Sequence, residues 1–286
     1  MTIAVVTDST SYLPPELAVQ HGIRVVPLHV MVGGKEFEEG VDITASEVAS
    51  ALRAYTPVST SRPAPQAFLD AYEAAAAAGA TAVVSIQISS DMSSTIGSAQ
   101  LAAADASIPV TVVDSRVMGM AMAYAAISAA ESAAAGATAE DAAAVAARRS
   151  SASTVAFYVD TLEYLRRGGR IGAASALVGS ALAIKPILGL HDGSIVPLER
   201  VRTSSKAISR LAELATEAAT NLPAGATGVD VAVQHLDSAE RAEALADDLR
   251  GRLGMGEELR VVELGAVVGA HVGPGTLAVV VSPRFA

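Results

Sequence analysis

Residues 81–104 read TAVVSIQISSDMSSTIGSAQLAAA. The first part, 82–88, is a short apolar run rich in β-branched residues, and the part from about Ser94 onward is made of good helix formers. The segment therefore predicts strand, polar loop, helix. The loop is Ser89-Ser90-Asp91-Met92-Ser93. In an open parallel sheet, ligands bind at loops leaving the carboxyl ends of strands, and a helix N-terminus just beyond presents unpaired N–H groups and partial positive charge. Hydroxyls at such a place suit an anion. Ser93 or Ser94 serves equally as a simple helix cap, and a cap that faces a crevice does both.

Moving outward, the same alternation recurs. Residues 3–6 predict a first strand ending at Asp8-Ser9-Thr10. A short helix opened by Pro14-Pro15 and closed by Gly22 follows. Residues 24–32 predict a second strand, Gly33-Gly34 a turn, and 36–43 a short return. Thr44 and Glu47 form a capping box before a helix reaching about Tyr55. The stretch 56–64, TPVSTSRPA, is rich in hydroxyls, and its Pro57 and Pro63 argue for a loop. Beyond a helix from Pro65 to Gly79 and the opening segment lie a strand at 110–113, helices from about Met118 and Ala139, and a strand at 154–159. Apolar strands alternating with helices predict an α/β domain with a parallel sheet, over residues 1–160.

Residues 161–286 have a different rhythm. A helical stretch at 162–182 is broken at Gly168-Gly169, and strands at 186–190 and 194–202 flank Asp192-Gly193, a strong hairpin signal. A long amphipathic helix (204–221), a strand (229–235), a helix (238–253) and strands at 260–264 and 277–281 complete a C-terminal α+β domain.

Composition narrows the function. The chain has 286 residues, 51% of them hydrophobic and only 3% aromatic, with no Trp, so its core is built from Ala, Val, Leu and Ile. With no Cys there is neither disulfide nor thiolate metal site, which fits a cytoplasmic protein, as does a start without signal-peptide character. No run reads as a membrane span. A net charge of -10 and few aromatics argue against nucleic acid. There is no G-x-S-x-G elbow, no Walker A sequence, and no G-x-G-x-x-G between strand and helix. The strand-end acids Asp8, Asp91, Asp114 and Asp160 are common features of α/β proteins, and the five His lack zinc spacing, so no metal and no cofactor is expected. Two features stand out. His271 sits on a loop, the glycine-rich run 265–275 (GAVVGAHVGPG), either as a plain surface residue or with its two ring nitrogens used for carboxylate or phosphate recognition. Arg166, Arg167 and Arg170 form the one concentrated basic spot, either a solvated helix end or a place to hold phosphate or an acidic partner.

Several motifs, in order along nearly the whole chain, together resemble the DegV family of bacterial fatty-acid-binding proteins. They are Val5-Val6-Thr7-Asp8-Ser9-Thr10, Thr60-Ser61-Arg62-Pro63, Ser93, Val113-Asp114-Ser115, Gly168-Gly169-Arg170-Ile171, Lys185-Pro186-Ile187-Leu188, Val201-Arg202-Thr203, and His271 with Gly273-Pro274-Gly275. The resemblance implies two domains with one long-chain fatty acid, such as palmitate or oleate, buried between them. It implies a carboxylate held by Thr60, Ser61 and Ser93 with His271 close by; Arg62 and Ser94, beside those residues, are candidates for secondary head-group contacts that the family pattern does not supply. It also implies that the protein is no catalyst itself: it presents the carboxylate to a separate ATP-dependent fatty acid kinase and carries the acyl phosphate. Arg166, Arg167 and Arg170 would then face the kinase. The sequence departs from the family pattern at Arg62, where Gln is frequent, at Ser94, where Gly is usual, and at Ala270 and Val272, where Thr is usual. The strand-end acids and His271 leave a second reading, a small-molecule phosphotransfer enzyme or subunit, which the wider fold group shared with dihydroxyacetone kinases also permits. Met118, Met120 and Met122 are either helix core or the lining of an acyl tunnel.

Overall fold

The structure, a computed structural model, describes residues 2–177 and 185–285. In chain order it runs β1 (Ile3–Asp8), α1 (Pro15–His21), β2 (Ile23–Val26), β3 (His29–Val32), β4 (Lys35–Glu38), α2 (Ala45–Arg53), β5 (Val58–Ser61), α3 (Pro65–Ala77), β6 (Ala82–Gln87) and α4 (Thr95–Asp105). Then come β7 (Val110–Asp114), α5 (Met120–Ala134), α6 (Ala139–Ala152), β8 (Thr154–Tyr158), α7 (Glu163–Arg167), β9 (Lys185–His191) and β10 (Ser194–Val201). The rest is α8 (Ser204–Thr220), β11 (Ala226–His235), α9 (Ala239–Leu253), β12 (Arg260–Glu263), α10 (Ala266–Val272) and β13 (Leu277–Phe285).

The chain divides into two compact units. The first comprises residues 1–29 and 61–152, and the second residues 30–60 and 153–286. The first unit holds an all-parallel sheet in the order β2-β1-β6-β7. Strand β6 lies between two neighbours and all six of its residues are buried, which is why it reads as a continuous apolar run rather than an alternating one. Phe68, Tyr72 and Ala75 of α3 and Ala99 and Ala102 of α4 pack with Val6 and Val83. Helix α5 is buried without interruption from Met120 to Ala130. An apolar surface all round suits a helix enclosed on every side, and it packs against β1 and α6. The buried Arg149 of α6 is satisfied there: it donates to the Ser128 hydroxyl at 2.7 Å and lies over the Tyr124 ring at 5.2 Å.

The second unit holds a mixed sheet in the order β10-β9-β8-β13-β11-β12, in which, among the described residues, only β11 and β12 pair in parallel. One face of it is covered by α8 and α9, whose Leu211, Ala215, Leu245 and Leu249 meet alternate residues of β13, Leu277, Val279 and Val281. Asp192 and Gly193, at φ of 46° and 82°, turn β9 into β10 with the two positive angles a tight hairpin needs. A smaller sheet, β4-β3-β5, and α2 complete it, and α2 packs on α10. The capping box of α2 is formed, with Thr44 accepting from the Glu47 N–H and Glu47 from the Thr44 N–H.

Five expectations need correction. The strand at 24–32 is two strands in different sheets, because Pro27 between them offers no N–H to a ladder. The hydroxyl-rich stretch 56–64 is not all loop: its prolines stand outside Val58–Ser61, which pairs as an edge strand. The strand at 154–159 belongs to the second sheet, and residues 30–60 belong to the second unit, so the two units are not the contiguous segments 1–160 and 161–286. Residues 266–272 form a helix rather than a glycine-rich loop. Of the helical stretch 162–182, the described part is α7 and a 3-10 turn at Gly172–Leu177, and residues 178–182 lie outside the described residues.

Candidate functional site

The expected site residues fall into a cluster in each unit. In the first unit the Ser89–Ser93 turn leaves the end of β6, closed by the Met92 and Ser93 N–H groups donating to the Ser89 carbonyl, both at 3.0 Å. The Ser93 hydroxyl accepts from the Thr95 N–H at 3.2 Å and pairs with the Thr95 hydroxyl at 2.8 Å. Ser94, the residue before α4, makes no side-chain cap. Arg62 donates to the Ser94 carbonyl at 3.4 Å, so Arg62 and Ser94 do meet, through guanidinium and backbone. Ser61 is exposed.

Asp8 sets this turn. Its fully buried carboxylate accepts from the Thr10 N–H at 2.9 Å, the Thr10 hydroxyl and the Ile88 N–H at 2.8 Å, which ties the loop after β1 to the end of β6. Burial raises its pKa to about 6, against the pull of those three donors. Sequence reasoning weighed Asp8 as a metal ligand, as a strand-end acid of the phosphotransfer reading and as part of a family motif. The strand-end position was legible, but its use as a backbone tie was not.

In the second unit Thr60, on β5, and His271, on α10, are brought together, with the Thr60 Oγ1 2.8 Å from the His271 Nε2. The His271 Nδ1 is buried and has no hydrogen-bond partner among the described residues. It is packed against Gly168: a Cβ on that glycine would lie 2.0 Å from Nδ1, so only glycine leaves room for the ring. Desolvation, and then the charge of Arg170, lower the His271 pKa to about 4, so the imidazole is neutral at pH 7. An unpaired N–H costs more to bury than an under-used lone pair. The tautomer assigned from this packing carries its hydrogen on Nε2 and donates to Thr60. Thr60 then keeps its own hydroxyl hydrogen for an anion.

Two further residues and the expected arginines complete the surroundings. Glu39, buried beyond β4, accepts from the Val267 N–H at 2.7 Å and so holds the first turn of the helix that carries His271. Gly273, at φ 80°, ends that helix where a Cβ would lie 2.1 Å from the Tyr164 ring. The role of Glu39 was missed, since nothing local in the sequence links residue 39 to residue 267, whereas Gly273 stands in the motif that carries His271. Arg166 and Arg167 both donate to Glu163, at 2.8 and 2.7 Å, and Arg170 donates to the Gly168 carbonyl at 2.6 Å. The basic spot is thus partly neutralised at its Glu163 end, and Arg170 is the one whose charge reaches His271. Met120 and Met122 are fully buried in α5.

Known proteins with the same architecture are numerous. The family model described as uncharacterised protein, DegV family, matches residues 2–284. A DegV domain-containing protein of Streptomyces coelicolor is 50% identical over 282 residues, covering 99% of this chain and 99% of that protein. Among solved structures, a fatty-acid-binding DegV family protein from Thermus thermophilus has a TM-score of 0.91 at 34% identity, covering 99% of this chain and 100% of that one. DegV from Bacillus subtilis, a fatty acid binding protein, has a TM-score of 0.88 at 33% identity, with the same coverage. No described helix is long and apolar enough to cross a membrane.

Proposed function

The chain belongs to the DegV family, and on that premise we propose that it binds one long-chain fatty acid and presents its carboxylate to a separate ATP-dependent fatty acid kinase. The observation that carries this reading is the Thr60–His271 pair, a hydroxyl held by a neutral, buried imidazole so that its own hydrogen remains available to an anion. Similarity to structures described as fatty-acid-binding supports the ligand class. In this reading Thr60, Ser61, Ser93 and His271 are the carboxylate residues, and Arg62 and Ser94 lie at the margin of the head group.

The acyl chain supplies most of the affinity, since each buried methylene contributes about 0.8 kcal/mol, and the hydroxyls fix which end faces outward. The chain itself performs no chemistry. A carboxylate oxygen attacks the γ-phosphorus of ATP held by the kinase, ADP leaves, and the protein carries the acyl phosphate away. Arg166, Arg167 and Arg170 meet the kinase, and the setting is the cytoplasm.

Native mass spectrometry of the purified protein, followed by denaturing extraction, tests this directly. A stoichiometric fatty acid is expected, and the combined Thr60→Ala and Ser93→Ala variant should lose it while staying folded. An empty protein that also fails to take up palmitate or oleate would sink the proposal.

A further inference from the structure

In the first unit, three loops leave the carboxyl ends of the neighbouring parallel strands β1, β6 and β7, and hydrogen bonds join them into a closed ring. The loop after β1 reaches the end of β6 through Asp8, which accepts the Ile88 N–H at 2.8 Å. The turn after β6 is fastened to the turn after β7 at three consecutive residues. The Ser89 N–H donates to the Val117 carbonyl at 3.0 Å, the Ser90 N–H to the Asp114 carboxylate at 3.2 Å, and the Asp91 carboxylate accepts from the Arg116 guanidinium at 3.3 Å. The Gly119 N–H then donates to the Thr10 carbonyl at 2.8 Å, which returns to the loop after β1. Ser93 hangs from this ring by one further bond, its N–H on the Ser89 carbonyl.

The ring is held at a cost. Arg116 lies at φ 58°, in the left-handed region that residues other than glycine seldom adopt. Asp114 fixes it there by accepting the Arg116 N–H at 3.0 Å, on the same Oδ1 that takes the Ser90 N–H. The Arg116–Asp91 pair that results is 43% exposed on both sides, so it adds little to the stability of the fold. Strain with so small a return in stability points to a geometry that serves a site. We propose that the turn after β7 is a brace for the fatty-acid head group, with Asp114 and Arg116 as positioning residues that act through the Ser89–Ser93 turn to hold the Ser93 hydroxyl in place. The head-group role rests on the fatty-acid reading above; the brace as such rests on the ring.

Titration of the delipidated full chain with a fluorescent fatty acid, together with amide hydrogen exchange, tests the brace. Asp114→Ala removes the acceptor of both N–H groups, whereas Asp114→Asn keeps an Oδ1 in the same place. The alanine variant should bind the fatty acid about tenfold more weakly and exchange its Ser90 and Thr95 amides faster, while the asparagine variant should stay within about threefold of native in both. Arg116→Gly keeps the left-handed turn, which glycine adopts freely, and deletes only the guanidinium, so it carries the test should the alanine variant misfold. It should melt within about 3 °C of the native chain and yet bind the fatty acid at least about threefold more weakly. Native affinity in Asp114→Ala or Arg116→Gly, or an asparagine variant as weak as the alanine one, would overturn the proposal. A native chain that takes up no fatty acid would instead overturn the fatty-acid reading. Amide exchange then decides the brace alone: faster exchange at Ser90 and Thr95 in the alanine but not the asparagine variant upholds it, and equal exchange in both overturns it.

Discussion

Gly168 shows how much a missing side chain can decide. Its backbone lies at an ordinary helical φ of -74°, so an alanine there meets no backbone strain, yet its Cβ would lie 2.0 Å from the His271 Nδ1. Gly168→Ala should therefore push the imidazole off Thr60 and weaken fatty-acid binding roughly tenfold, with overpacking costing about 1–3 kcal/mol. Titration with a fluorescent fatty acid checks the first, and the imidazole ¹⁵N shifts report whether the Nε2–H tautomer is lost; native affinity with native shifts would refute the packing argument. Asp8 makes a pH-dependent prediction of definite sign. Its pKa is about 6 in the folded chain against 3.8 in the reference state, so the folded state binds the proton more readily. The associated stability is fully present below about pH 4 and is lost as pH rises through 6, in total about 3 kcal/mol. Asn cannot titrate, so Asp8→Asn should gain stability relative to the native chain by about 2–3 kcal/mol between pH 4 and pH 7. Hydrogen exchange at the β6 amides measures this, and a difference independent of pH would refute it. His271 has the opposite sign: its pKa is lowered from 6.5 to about 4, so its contribution is present above 6.5 and lost as pH falls through 4.

At the level of elements, α10 is not self-sufficient. It is seven residues long with three glycines in or beside it, and Gly269 lies inside it, so its intrinsic propensity is poor. Tertiary contacts hold it: packing on α2 and α7, and the Glu39 carboxylate accepting the Val267 N–H. Glu39→Ala should cost about 1.5–3 kcal/mol, the value of a hydrogen bond to a charged group. It should also loosen His271, while Glu39→Gln recovers part of the loss. Thermal unfolding of the three proteins is the measurement, and equal stability of the alanine and native chains would refute the assignment. The same contrast explains which elements were legible. Strand β6, helix α4, the α2 capping box and the Asp192-Gly193 hairpin each carry their signal within a dozen residues, and sequence reading found them. Helix α10 and strand β5 did not, because glycines and prolines argue locally for loops, and the partners that override them lie far along the chain. Thr60 and His271, 211 positions apart, were paired only through the family resemblance.

For the whole molecule, the sequence disclosed which elements exist better than which sheet each one joins. Strand β8 follows helix α6 just as a further strand of the parallel sheet would, and local pattern cannot separate that from what occurs. It crosses into the second sheet and lies between β9 and β13, antiparallel to both. Residues 30–60 likewise leave the first unit between β2 and α3. A fragment cut at the contiguous boundary, residues 161–286, would thus lack the strand that joins β10-β9 to β13-β11-β12. It would also lack α2, which covers α10. Both halves of the broken sheet would expose unpaired backbone edges, and Tyr158, a buried residue of the core under α8, would be gone. Residues 161–286 should therefore not fold cooperatively. Residues 153–286 restore the continuous sheet and should recover dispersed amide signals over β8, β9, β11 and β13, with α10 still unprotected for want of Glu39 and α2. Amide correlation spectra and thermal melts of the two fragments decide it: a well-dispersed, cooperatively melting 161–286 would show that β8 is dispensable and that the sheet order does not govern the folding of this unit.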